Sequence, residues 1–162
     1  MSSSDWPGTC RSVSGVFMMH EAAVTAYTMA CPFERAVPAV RQALAAGGLT
    51  IAGEMDISER IRRQLGLDFG PCRILLVDSP YLLVEALALD RSAAALLPLH
   101  LVISGRDALT HVHWVSMAGM RQAHLPAGAE APLAKLHAEL VRIFDGLARK
   151  EHNWPVPAPH AS

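Results

Sequence analysis

Long apolar runs, a surplus of charge, a cysteine framework and the familiar catalytic motifs are all missing from this chain. No stretch approaches the roughly 18 consecutive apolar residues that a spanning helix needs. The opening MSSSDWPGTCRSVSG also lacks the basic region followed by an apolar run that marks a signal peptide. A soluble protein without membrane contact is the expectation. Basic residues number 14 against 15 acidic ones, with no long run of either sign, so there is no electrostatic footprint for nucleic acid. The three cysteines, Cys10, Cys31 and Cys72, are odd in number and form no C-x-x-C pair. That pattern fits neither a disulfide framework nor a zinc motif, and it points to reduced thiols and a cytoplasmic location. The sequence shows no G-x-S-x-G, no P-loop and no G-x-G-x-x-G after a strand, which removes the common nucleophile and nucleotide sites. Whether the chain is an enzyme is left open.

What is present suffices for one domain. A chain of 162 residues can bury a substantial core without disulfides. Residues 1–20, rich in Ser, Gly and Pro, read as a flexible leader, and residues 152–162, with NWPVPAPHAS, as a Pro-rich disordered tail. Between them, residues 21–151 form a single domain in which strand and helix patterns alternate. AAVTAYTMA is β-leaning, and LTIAGEMDI sets Leu49, Ile51, Gly53, Met55 and Ile57 on one face with the period of a half-buried strand. The intervening FERAVPAVRQALAAGG has apolar residues at helical spacing and a Gly47-Gly48 stop, although Pro38 requires a late start or a bend.

Asp56 or Ser58 can cap the short SERIRRQLG helix, which Gly66 ends and whose Arg60, Arg62 and Arg63 make a small basic surface. CRILLVD is continuously apolar, as a strand covered on both sides would be. Ser79 and Pro80 then open a helix through Ala88, with too many apolar positions for one stripe, so burial on most sides is expected. Leu133, Leu136, Leu140, Ile143, Phe144 and Leu147 define an amphipathic C-terminal helix. The fold class is α+β: a mainly antiparallel sheet of about five strands packed against helices.

Three of the eight histidines fall in LHLVISGRDALTHVHW. A tight turn around Arg106 and Asp107 would set His100 opposite His113 and Val102 opposite His111, leaving Leu99, Leu101, Ile103, Val112 and Trp114 on the core face. His100, His111 and His113 would then share the other face. Such a cluster can ligate zinc or copper, or it is simply a polar sheet surface. The hairpin supplies no carboxylate or thiolate to that face and no evident second-shell acceptor.

The order of several short features resembles the domain-of-unknown-function 302 family over about residues 22–116. Pro32-Phe33 precedes the first helix, Glu54-Met55-Asp56-Ile57 ends the second strand, and Leu65-Gly66 closes the short helix. There follow Arg73-Ile74-Leu75, Ala86-Leu87, Asp90 and Leu96-Leu97-Pro98. The resemblance implies a small α+β domain, often homodimeric, with no established general activity. The chain departs from the family pattern at two recurrent cysteines: Asp78-Ser79-Pro80 stands where Cys-Asn-Pro is common, and Leu99-His100 follows Pro98 where Cys-Asn is common. These replacements mark Asp78, Ser79 and His100 as candidate ligand-binding residues beside a helix N-terminus.

Two functions of different class follow. One is a non-enzymatic, homodimeric ligand-binding or accessory domain for an unidentified small molecule. The other is a metal-dependent or redox-linked enzyme using the histidine hairpin.

Overall fold

Strand alternation organises the domain around one sheet with one covered face. The structure is a computed structural model that describes residues 11–13, 23–126 and 128–152. Its elements run β1 (Arg11–Val13), β2 (Val24–Ala30), α1 (Phe33–Ala46), β3 (Thr50–Asp56), α2 (Ile57–Leu65), β4 (Cys72–Asp78), α3 (Pro80–Leu89), a 3-10 helix (Arg91–Leu96), β5 (Leu99–Arg106), β6 (Leu109–Val115), α4 (Met117–Gln122) and α5 (Glu130–His152). The sheet order is β1-β2-β6-β5-β4-β3, with every neighbouring pair antiparallel. This is the expected α+β class with its five long strands. A sixth, β1, comes from residues expected to lie in the flexible leader; the rest of that leader and the Pro-rich tail beyond His152 lie outside the described residues.

One face of the sheet carries the core. Leu75 and Val77 of β4, Leu101 and Ile103 of β5, and Val112 and Trp114 of β6 are buried against Val37, Val40 and Leu44 of α1 and Leu133, Leu136, Leu140 and Phe144 of α5. Each fully buried aliphatic side chain contributes about 1.5–3 kcal/mol by leaving water. Several polar groups on this face are paired: Thr110 donates to the Cys31 carbonyl at 2.8 Å, Tyr27 donates to Asp145 at 2.9 Å, and Thr25 bonds His137 at 3.1 Å, while the buried Trp114 Nε1 has no partner among the described residues. Tyr27, Trp114 and Phe144 stack with centroids 5.3–5.6 Å apart.

Several expectations change. Pro38 lies inside α1, which starts at Phe33 nonetheless; the ring is exposed, and the proline removes one intrahelical donor without ending the helix. β4 is not covered on both sides, because Ile74 and Leu76 point to the open face and are half-buried. Nor is α3 buried on most sides. Ala86 is buried, while Tyr81 and Val84 are 87% and 67% exposed. Finally, Cys31 is disulfide-bonded, whereas Cys72 is a free thiol. The expectation of three reduced thiols does not hold at Cys31. Among the described residues, no helix is long and apolar enough to cross a membrane.

Candidate functional site

The histidine hairpin forms with a different register. Observed pairs are Val102 with His113, Ser104 with His111 and Arg106 with Leu109, the turn falling at Asp107 and Ala108 with Asp107 at φ 56°. The expected register is displaced by two residues. Because strand faces repeat every two residues, the three histidines stay on the open face. His100, however, no longer faces His113. His111 bonds Thr28 through Nδ1 at 3.1 Å. His113 is half-buried, and burial, then the neighbouring His111, lowers its pKa. Among the described residues, no group of three or more His, Cys, Asp or Glu side chains is placed to hold a metal ion.

The second set of candidates lies at the other end of β5. Leu76 pairs with His100 and Val77 with Leu99. By strand alternation, Asp78 shares the open face with Leu76 and is the diagonal neighbour of His100. Asp78 ends β4 and is 8% exposed, and its carboxyl makes no hydrogen bond or ion pair among the described residues. Burial raises its pKa. Ser79 is the N-cap of α3, as its residue type suggests, but its hydroxyl makes no capping bond. His100 is exposed and lines a cleft of about 240 Å³ whose other walls are Ala95, Leu96, Pro98 and Leu99, with Val115, Gly119, Met120 and Ala123. Asp78 and Ser79 do not line it; Pro98, which does, stands one step beyond the Val77–Leu99 pair. The structure thus brings the three candidates to one corner without joining them.

A larger cleft, of about 360 Å³, lies at the opposite end, between α1, the start of α2 and the start of β4. The sequence reading missed it because its charges come from separated segments. Arg73 pairs with Asp56 at 3.0 Å and Glu54 at 3.2 Å, Arg41 pairs with Glu54 at 2.5 Å, and the Arg73 guanidinium lies 5.7 Å from the Phe33 ring centre. Asp56 caps α2 by accepting from the Glu59 N–H at 2.8 Å. Hydrogen bonds from Ser58, then Arg73, hold the Asp56 pKa below its ordinary range. The alternation of Glu54 and Asp56 around an exposed Met55 was the available signal.

The fold and these two clefts define a two-layer α+β domain with one open sheet face. The chain matches the model for the Domain of unknown function DUF302 over residues 25–147 and belongs to that family. Its fold is similar to that in the crystal structure of an uncharacterized conserved DUF302 protein from Bacillus stearothermophilus, with a TM-score of 0.68 at 17% identity over 76% of this chain and 96% of that one. The curated proteins contain no match.

Proposed function

We propose that this domain is a non-catalytic binding module, acting as a homodimer, that takes a small, largely apolar molecule bearing a hydrogen-bond donor. The observation that carries the reading is the Asp78 carboxyl, largely covered and, among the described residues, without a hydrogen bond or ion pair. Burial raises its pKa, and carboxyls shifted in this way concentrate at functional sites. The neighbouring cleft offers an apolar wall from Leu96, Leu99 and Met120 and one imidazole at His100, the composition of a small-molecule site. A ligand whose body occupies the cleft and whose amine or hydroxyl extends past Pro98 would supply a partner to Asp78.

The dimer rests on α3. Tyr81, Val84 and Ala88 form an exposed ridge, with Glu85 of the same helix engaged by Lys135 at 2.6 Å. A charge-poor helix face suits isologous packing, in which the same patch serves both copies. Light scattering should give a dimeric mass for the wild type and a monomeric one for Val84→Glu.

Ligand-observed NMR with a library of amine-bearing fragments tests the site. Hits should be lost in Asp78→Asn and weakened in His100→Ala. Hits that survive both substitutions would remove the proposal.

A further inference from the structure

We infer that the loop after α2, with the arginine face of that helix, is a contact for an anionic phospholipid surface. Three large apolar side chains stand out from this short segment: Leu65 is 67% exposed, Leu67 48% and Phe69 72%. Exposed apolar residues scattered singly are ordinary; three at alternate positions across the end of α2 and the loop after it call for a partner.

The loop is held in this shape. Gly66 closes α2 in the left-handed region at φ 67° and donates to the Arg62 carbonyl at 2.9 Å. Asp68 accepts from the Gly70 N–H at 2.9 Å, and Gly105 donates to the Pro71 carbonyl at 2.9 Å. The apolar tips are presented by a constrained turn, and none of them lines either of the two clefts.

Charge identifies the partner. Arg60, Arg62 and Arg63 are exposed on the adjoining helix, where Glu59 is engaged by both Arg62 and Arg63, and the loop itself carries one acid, the exposed Asp68. Arg60 reaches back to the Met55 sulfur at 3.5 Å, which adds another exposed apolar residue to the edge of the patch. Over residues 57–70 three arginines stand against Glu59 and Asp68, a local positive excess that the balanced total charge of the chain conceals. Protruding apolar tips flanked by guanidinium groups fit a lipid surface. Acyl chains accept the tips without shape complementarity, and phosphates accept the arginines.

The test is cosedimentation of the full chain with vesicles of pure phosphatidylcholine and with vesicles also containing phosphatidylglycerol. Binding is expected to the anionic vesicles and to weaken with added salt. Phe69→Glu should reduce the partition coefficient by about tenfold or more, and Arg60→Ala or Arg63→Ala by about fivefold each. Phe69→Glu should leave Tm unchanged, because the ring contributes little to the core. Three results would overturn the inference: no binding to anionic vesicles, equal and salt-independent binding to both compositions, or a Phe69→Glu variant that loses self-association while the wild type ignores vesicles. The last would make the loop a protein contact.

Discussion

Asp56 and Asp78 occupy equivalent places at opposite ends of the sheet: each ends a strand and stands just before a helix. Their surroundings could hardly differ more. Asp56 is held by Ser58, Arg73 and the Glu59 N–H, and its pKa falls. Asp78 is largely covered and has no partner among the described residues, and its pKa rises. One carboxylate fastens strand to helix, and the other leaves hydrogen-bonding capacity unspent. Similar positions in the chain therefore do not imply similar work.

This contrast can be broken most severely through the core that both ends share. Leu101→Ala should destabilise the domain by about 2–5 kcal/mol. Denaturant melts followed by fluorescence and by circular dichroism should coincide, since a fully buried β5 residue supports both ends. Separate transitions would mean that the ends fold as independent units.

At the paired end, Arg73→Ala should cost about 1 kcal/mol, a modest figure because the ion pairs are partly exposed. Asp56 has a depressed folded-state pKa, so its contribution is present above its ordinary value of 3.8 and is lost as pH falls through the lower folded value. The acid limb of the stability curve should flatten in the variant.

At the unpaired end the sign reverses. Asp78→Asn should stabilise the protein by about 1 kcal/mol at neutral pH. The raised folded pKa penalises the ionised form, so the gain should vanish below the ordinary value of 3.8, where both states are protonated. A destabilised variant at neutral pH would mean that Asp78 has a partner after all.

The smallest effect concerns His113. Its depressed pKa means that stability is full above the ordinary value of 6.5 and declines as pH drops through it toward the folded value. His113→Gln should remove that slope, a change below about 1 kcal/mol, measurable by Tm against pH.

Which of these features the sequence disclosed depended on their range. Alternation in β5 and β6 was legible because Leu101, Val112 and Trp114 report their face locally. The register was not, since a shift of two residues keeps every face intact, and it alone separated His100 from His113. The α2 caps, Asp56 and Gly66, were readable as residue types at fixed offsets. In α3, abundant apolar residues were taken for burial, yet hydrophobicity cannot say what covers a helix. Asp78, Ser79 and His100 were named individually; that Asp78 is buried without a partner needed three dimensions. The Arg41–Glu54–Arg73–Asp56 chain joins three segments and left no contiguous motif.

The sheet order has a consequence for the protein's synthesis. Strand β2 is the first long strand to be made, but its neighbour on the inner side is β6, the last: Val24 sits beside Val115. Strands β3, β4 and β5 can pair as they emerge from the ribosome. β2, tethered to them by α1, must wait with its inner edge open until nearly the whole domain has been translated. During that interval the nascent chain carries an apolar strand without its partner, and a chaperone would find it there.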